Sequence, residues 1–157
     1  MSRNNEFEKQ KALHKRQDTV LFDLDGTLAD TMTYEKHHKA KKGKNQDFAR
    51  EALHVQPIDN MVKKLKQATQ DGDNVVILTA RSAEYRDETK KWLASNGINY
   101  DALVMRPIGN KEVDKKVKRE LLEEDILPKF DVKKAYDDKK KNRKMFDKLG
   151  IKAKGVK

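Results

Sequence analysis

Short runs of β-forming residues alternate with longer amphipathic segments along this chain, and no other feature constrains its fold as strongly. The runs cover residues 19–23, 74–79, 102–105 and 132–136. Strands that alternate with helical segments favour a parallel sheet, because each connecting helix covers a face of the sheet. The first run is apolar at successive positions, as expected for a strand that is buried on both faces. The sequence therefore predicts an α/β fold with a parallel sheet between helices.

The segments between these runs carry apolar residues at helical spacing. One face of the first segment carries Met61, Val62 and Leu65. The second segment is expected to bury Trp92 and Leu93. Glycine just after a periodic segment is typical of a helix end, and a glycine follows three of the four segments. The predicted helices cover residues 59–70, 83–95, 112–125 and 140–149, and residues 151–156 are predicted to form an edge strand.

Two parts of the chain fall outside this alternation. Residues 1–17 are predicted to form a basic N-terminal arm, which leaves residues 18–157 as a single domain. Residues 29–58 far exceed the roughly 2–6 residues of an ordinary strand-to-helix loop. An insert at this place would overhang the carboxyl end of the first strand, where open parallel sheets bind ligands. We therefore expect a small basic flap, which carries Lys36, Lys39, Lys41, Lys42 and Lys44.

The composition excludes several classes of protein. A chain of 157 residues has the length of one domain, and without cysteine it can form no disulfide, thiolate zinc site or cysteine nucleophile. No stretch approaches the ~18 apolar residues of a membrane helix, and the N-terminus lacks an apolar signal core. We therefore expect a cytoplasmic protein without a membrane partner. The formal net charge of +10 favours a polyanionic partner.

The sequence Asp23-Leu24-Asp25-Gly26-Thr27 directly follows the first apolar run. Carboxylates two residues apart lie on the same side of an extended chain, and glycine permits a sharp turn. One carboxylate could attack phosphorus while the other protonates the leaving oxygen. Because such a pair repels itself, a hard cation is expected between the two, and Mg²⁺ prefers oxygen ligands. The alternative is an aspartate-rich turn or a calcium loop, although the later acidic ligands of an EF-hand are missing.

Three further elements lie at or near the ends of later runs. Thr79-Ala80-Arg81 could hold a phosphate oxygen, although a threonine at a strand end is more often a helix cap. Lys118 could neutralise phosphoryl charge, but the chain has 36 basic residues and this position alone decides little. The adjacent carboxylates of Asp137 and Asp138 are costly unless they are solvated or bind a metal, and a solvated turn is the alternative.

The order of these four elements resembles the motifs of the haloacid dehalogenase (HAD) phosphohydrolase superfamily. Residues from about 19 to 156 are similar to the 3′-phosphatase domains of T-even bacteriophage polynucleotide kinase–phosphatases. The most specific part is the run Pro128-Lys-Phe-Asp-Val-Lys-Lys-Ala-Tyr-Asp-Asp138, which leads into the acidic pair. The resemblance implies a HAD-like Rossmannoid three-layer α/β sandwich with a small basic flap and no large cap.

The resemblance also implies a role for each motif residue. Asp23 would be the nucleophile that becomes phosphorylated, Asp25 the general acid and then the base, and Thr79 and Lys118 the clamp on the phosphoryl group. Mg²⁺ would be held by the Asp23 carboxylate, the Asp25 backbone carbonyl and one of Asp137 and Asp138. Residues expected to contact the substrate are Thr27, Ala80, Arg81 and Asp114, together with Lys39, Lys41 and Lys42 of the flap.

The chain departs from this family in three places. Its second motif is Thr-Ala-Arg where the family has Ser-Gly-Arg, which keeps the hydroxyl group. The family's arginine shortly after the first motif has no equivalent, and Tyr34 stands near its place. No G-x-x-x-x-G-K-[ST] sequence is present, so no 5′-kinase activity is expected from this chain.

The expected activity is hydrolysis of a 3′-phosphate at a nucleic-acid end, through backbone contacts and without sequence-specific readout. A separate kinase or ligase would be a partner, and the phage-infected host cytoplasm would be the setting. Two other hypotheses remain open at this point. One is a HAD phosphatase for nucleotides or other small phosphomonoesters, and the other is a nucleic-acid-binding module without catalysis.

Overall fold

The computed structural model describes residues 6–7, 17–32 and 54–157, which together form a single six-stranded sheet with helices on both faces. The strands lie in the spatial order β1-β4-β3-β2-β5-β6, and β2 to β6 are all parallel. Their bounds are β1 (Glu6–Phe7), β2 (Asp18–Phe22), β3 (Asn74–Ser82), β4 (Ala102–Arg106), β5 (Asp131–Tyr136) and β6 (Lys152–Lys154).

Among the described residues, four α-helices of eight or more residues connect the parallel strands. They are α1 (Asp59–Gln70), α2 (Arg86–Ser95), α3 (Asp114–Leu121) and α4 (Lys140–Lys148). A 3₁₀ turn, Ala83–Tyr85, precedes α2, and a π-helical turn, Leu122–Ile126, continues α3. No helix within the described ranges is both long and apolar enough to cross a membrane.

The side chains of the central strand alternate between two apolar layers. Val20 and Phe22 of β2 pack in the layer that contains the buried residues of α1 and α2. Leu21 points the other way and packs with the buried residues of α3 and α4. Because both faces of β2 are covered, its unbroken apolar sequence is stabilised by burial on either side. The predicted α/β sandwich with a parallel core is therefore confirmed.

Three local features differ from the predictions. Glu6–Phe7 pair antiparallel with Ala102 and Leu103, so the sheet has a short antiparallel edge strand that is too brief to show any periodicity. The helix predicted over 83–95 begins as a 3₁₀ turn, and the one predicted over 112–125 becomes a π-helical turn after Leu121. This second helix also begins late, at Asp114, because Arg106 binds the carbonyl oxygen of Glu112 and keeps that residue in the loop.

The base of the predicted flap is a small paired stem. The backbone N–H of Asp30 donates to the carbonyl of Gln56 (2.8 Å), and that of Ile58 donates to the carbonyl of Leu28 (2.8 Å). The indole N–H of Trp92 donates to the carbonyl of Val55, which fixes the returning chain on α2. Residues 33–53, with the flap lysines Lys39, Lys41 and Lys42, lie outside the described residues, and the flap itself stays a prediction.

Candidate active site

The loops that follow the parallel strands converge on one pocket at the carboxyl edge of the sheet. Strand β2 lies between β3 and β5, so the residues after these three strands are neighbours. The pocket has a volume of about 540 Å³. Its lining includes eight of the residues selected from the sequence, namely Asp23, Asp25, Thr79, Ala80, Arg81, Asp114, Lys118 and Asp138.

The chain turns sharply after β2 at Gly26. The backbone φ of Gly26 is +87°, a conformation that side-chain-bearing residues rarely adopt. A Cβ atom at this position would clash with the carboxylate of Asp138. Two features therefore favour glycine at this position: the sharp turn and the close approach of the Asp138 carboxylate.

A buried cluster of one lysine and two aspartates, here called the inner cluster, lies at the bottom of the pocket. Lys118 Nζ lies 2.7 Å from Asp23 Oδ1 and 2.7 Å from Asp137 Oδ2. The hydroxyl of Thr27 donates to Asp23 Oδ2, and the amide of Asn142 donates to both carboxylate oxygens of Asp137. These contacts hold both carboxylates in fixed orientations, so that one oxygen of each faces the lysine.

Burial and charge act in opposite directions on the ionisation of the inner cluster. Burial raises the pKa of Asp23 well above its usual value, the ammonium group of Lys118 opposes this, and the nearby Asp137 adds to it. Burial alone would lower the pKa of Lys118, but the carboxylates of Asp23 and Asp137 raise it above its ordinary value. These shifts favour the charged form of Lys118, and positive charge placed beside Asp23 would favour its ionised form.

The residues present fit a divalent cation. Asp23, Asp137 and Asp138 each offer one carboxylate oxygen, and these three atoms lie within 4.8 Å of one another. Asp138 Oδ1 is buried and has no hydrogen-bond partner in the described part of the chain. Three ionised carboxylates beside one lysine would leave two uncompensated negative charges. An all-oxygen ligand set with this charge suits a hard divalent cation.

Asp25 makes a separate ion pair on the other side of the first motif. Arg81 donates from Nη2 to Asp25 Oδ1 (2.5 Å) and from Nε to Oδ2 (3.2 Å), and its Nη1 donates to the hydroxyl of Thr89. The hydroxyl of Thr31 also donates to Asp25 Oδ1 (2.6 Å). Arg81, which the sequence suggested as a substrate contact, thus binds the aspartate expected to act as acid and base.

The second motif lies on a bulge at the end of β3. Thr79 is paired with Met105 on β4, whereas the next pair joins Ser82 to Arg106, so two extra residues stand on β3. The extra residues are Ala80 and Arg81, and bulges of this kind redirect side chains beside functional sites. The hydroxyl of Thr79 accepts a hydrogen bond from the backbone N–H of Arg81, which stabilises the bulge.

A second, more exposed group of charges, here called the rim cluster, consists of Arg106, Asp114 and Lys139. Arg106 donates to the carbonyl of Ala80 (2.7 Å) and to Asp114 Oδ1 (2.8 Å), and Lys139 Nζ donates to Asp114 Oδ2 (2.9 Å). Burial alone would raise the pKa of Asp114, but the hydrogen bond from Lys139 and the charge of Arg106 lower it below its usual value. The rim cluster therefore links the bulge on β3 to the first turns of α3 and α4.

The structure places the predicted residues unequally. Thr27, predicted as a substrate contact, is fully buried behind Asp23, and it is absent from the described pocket lining. Arg106 was missed, although its position at the carboxyl end of a strand next to β3 was a usable signal. The lining residues that the sequence analysis did not select are Thr31, Met32, Ser82, Tyr85, Lys139 and Asn142.

The fold and the motif order define the class of protein, which is a HAD-like phosphatase. The class C acid phosphatase from Bacillus anthracis with tungstate bound has the same fold, with a TM-score of 0.62 and 18% identity over 87% of this chain and 65% of that chain. Residues 17–157 match the family model described as the polynucleotide kinase PNKP phosphatase domain, and the chain belongs to this family.

Two solved structures of RNA repair assemblies contain similar chains. A chain in the Pnkp1/Rnl/Hen1 RNA repair complex has a TM-score of 0.77 and 28% identity over 96% of this chain and 45% of that chain. A chain in a second structure of the Pnkp1/Rnl/Hen1 complex has a TM-score of 0.74 and 26% identity, covering 94% of this chain and 50% of that chain. The present chain thus spans about half the length of each.

Proposed function

We propose that this phosphatase is a Mg²⁺-dependent polynucleotide 3′-phosphatase that acts through an aspartyl-phosphate on Asp23. The observation that supports this most directly is the inner cluster, in which a buried aspartate faces a charged lysine at the bottom of an open pocket. Membership of the PNKP phosphatase-domain family supports a 3′-phosphorylated nucleic-acid end as the substrate. The proposed general acid is Asp25, and the residues proposed to hold the phosphoryl group are Lys118 and Thr79.

In the first step, a carboxylate oxygen of Asp23 attacks phosphorus in line with the bond to the sugar 3′-oxygen. That bond breaks, and the departing oxygen takes a proton from Asp25. Lys118 and the hydroxyl of Thr79 hold the oxygens of the phosphoryl group, whose transfer depends mainly on positioning and charge neutralisation. Hydrogen bonds from Arg81 and Thr31 hold the Asp25 carboxyl group in a fixed orientation.

In the second step, Asp25 takes a proton from a water molecule, and the water oxygen attacks phosphorus. The bond between phosphorus and Asp23 breaks, which restores the free carboxylate and releases inorganic phosphate. The hydrogen bonds from Arg81 orient the Asp25 carboxylate for this proton transfer. One residue thus serves as acid and then as base, as a two-step displacement requires.

Asp23, Asp137 and Asp138 would hold the Mg²⁺ ion, with the Asp25 backbone carbonyl as a further ligand. When bound, the ion supplies positive charge to the carboxylates and to the phosphoryl oxygens. The orphaned Oδ1 atom of Asp138 and the charge imbalance of the pocket support this assignment. Asp23 would then be ionised in spite of its burial, as a nucleophile must be.

A polymeric substrate is favoured by the formal net charge of +10 and by the likeness to chains of RNA repair complexes. By the same likeness, a separate ligase or kinase would be a partner in end repair. In line with the resemblance to T-even phage enzymes, the proposed setting of this repair is the cytoplasm of a phage-infected cell.

The test compares three substrates in Mg²⁺: a 3′-phosphorylated oligonucleotide, the 5′-phosphorylated oligonucleotide of the same sequence, and a 3′-mononucleotide. Release of inorganic phosphate should be fastest from the first, with Asp23→Asn as the inactive control. Equal rates for the 3′-oligonucleotide and the mononucleotide would favour a phosphatase for small phosphomonoesters. No release from any substrate would favour a binding module without catalysis.

A further inference from the structure

A groove with a strongly basic lining runs between α3 and α4 on the outer surface of the molecule. Its volume is about 790 Å³, and its lining contains six basic residues and two acidic ones. Val113, Met145 and Leu149 add apolar surface to it. The basic residues of this basic groove are Lys115, Lys116, Arg119, Lys141, Lys144 and Lys148.

The basic groove lies beside the catalytic pocket on the same two helices. Asp114 and Lys118 of α3 line the pocket, whereas their neighbours Lys115 and Arg119 line the groove. On the other side, Asn142 of α4 lines the pocket and Lys141 lines the groove. A chain that leaves the pocket can therefore enter the groove by passing over the first turns of these helices.

The charges along the two walls of the groove are not equivalent. On α3, Lys116 pairs with Glu112 (3.2 Å) and Arg119 pairs with Glu123 (3.4 Å). On α4, Lys141, Lys144 and Lys148 are exposed, and none of the three pairs with a carboxylate in the described ranges. Their spacing of three and four residues aligns them on one side of the helix. This wall is a row of like charges that an anionic chain would stabilise.

We propose that the basic groove binds the phosphodiester backbone of the nucleic-acid strand whose 3′-end occupies the pocket, an inference that rests on the proposed function. The row from Lys141 to Lys148 spans roughly 10 Å at the rise of an α-helix. For a strand stacked as in a duplex, with about 3.4 Å of axis per charge, this length matches about three phosphates. The described groove lining contains no aromatic side chain for stacking bases, so contact with the backbone gives binding without sequence readout.

The test uses a variant in which Lys141, Lys144 and Lys148 are all replaced by glutamine, which keeps a similar helix propensity. The matched control replaces Lys63, Lys64 and Lys66, which are exposed on α1 on the opposite face of the sheet. Both variants lose three positive charges, so they share any effect of net charge. Binding of a labelled, 3′-phosphorylated single strand is measured by fluorescence anisotropy in EDTA, which prevents turnover. Thermal unfolding confirms that both variants are folded.

We expect the groove variant to bind the strand on the order of 500-fold more weakly than the wild type at 50 mM salt, because a slope difference of about 2 acts over the ~1.3 log units of salt between 50 mM and 1 M. Its slope of log affinity against log salt should be less steep by about 2, because single strands lose ~0.7 per phosphate contact. The control variant should keep the wild-type affinity within about twofold and keep the wild-type slope. Equal losses in both variants, or no loss in the groove variant, would overturn the proposal.

Two further results separate this inference from the proposed function. If the wild type releases 3′-phosphate but the groove variant binds the strand as the wild type does, the function stands and the groove inference fails. If no phosphate is released but the groove variant alone loses binding, the groove inference stands and the function fails. Binding of polyglutamate that depends on the groove lysines, with unchanged oligonucleotide binding, would show that an acidic protein segment is the occupant and would overturn the proposal.

Discussion

The inner cluster and the rim cluster both join aspartate to basic side chains, but they differ in their access to water. In the inner cluster the side chains of Lys118, Asp23 and Asp137 are only 3%, 7% and 1% exposed. In the rim cluster, Arg106 is 13% exposed, Asp114 37% and Lys139 59%. Both groups border the same pocket, so the comparison isolates the effect of burial on the same kind of interaction.

This difference in burial suits the inner cluster to chemistry and the rim cluster to the positioning of loops. A buried charge that loses its partner cannot be solvated, and breaking such a pair typically costs about 3–5 kcal/mol. An exposed pair is screened by water and contributes about 0–1 kcal/mol. The inner cluster can therefore hold the proposed nucleophile with a strongly shifted pKa, whereas the rim cluster mainly links loops. The predictions below test this contrast from the largest expected effect to the smallest.

Replacement of Asp23 by asparagine should have the largest effect on activity. Asparagine keeps the shape of the side chain but cannot form an acyl-phosphate, so kcat should fall by roughly 10⁴-fold or more. Steady-state phosphate release and circular dichroism measure activity and folding. Folded protein with more than a few per cent of wild-type turnover would contradict a covalent intermediate on Asp23.

Removal of the metal should silence the enzyme while leaving it folded. EDTA should abolish phosphate release, Mg²⁺ should restore it, and Ca²⁺ should restore it poorly because its larger coordination shell is less strict. Mg²⁺ should also raise the melting temperature, since a ligand of the folded state alone stabilises that state. Asp138→Asn should remove most of this shift. Full activity in EDTA would refute the metal requirement.

Replacement of Lys118 by methionine tests the contrast in stability directly. This change leaves Asp23 and Asp137 buried beside each other without a cation, and the free energy of unfolding should fall by about 3–5 kcal/mol. The matched change in the rim cluster, Lys139→Met, should cost about 1 kcal/mol or less. Urea unfolding in EDTA measures both values. Similar losses in the two variants would show that burial does not separate the two clusters.

The smallest expected effect is the pH dependence of the rim cluster. The pKa of Asp114 lies below its usual value of 3.8 in the folded state. The stabilisation is therefore complete above pH 3.8 and is lost as the pH falls through the folded-state pKa. The difference in unfolding free energy between wild type and Asp114→Asn should be about 1 kcal/mol or less. This difference should be constant near neutral pH and shrink in acid. A difference that grows in acid would contradict the sign of the shift.

The sequence predicted those residues of the site that lie at the carboxyl ends of strands. Asp23, Thr79 and Asp137 follow or end apolar strands, and parallel strands bring their carboxyl ends to one edge. The ion pair of Arg81 with Asp25 was not predictable, because it joins side chains 56 positions apart across a bulge whose register depends on β4. The hydrogen bond of Lys139 to Asp114 joins residues 25 positions apart, and it depends on where α3 begins, next to the contact of Arg106 with the carbonyl of Glu112.

The paired stem formed by residues 28–30 and 56–58 has a consequence for engineering. The hydrogen bond from Asp30 to Gln56 joins the two strands of the stem, and Trp92 binds the carbonyl of Val55 on the returning strand. These contacts fix both ends of the stretch between residues 32 and 54. Each doubling of a flexible connection costs only about 0.6 kcal/mol in closure entropy. A foreign peptide, or a reporter domain whose termini are adjacent, could therefore be inserted at the stem, beside the pocket. We expect the strands of the sheet to keep their register after such an insertion.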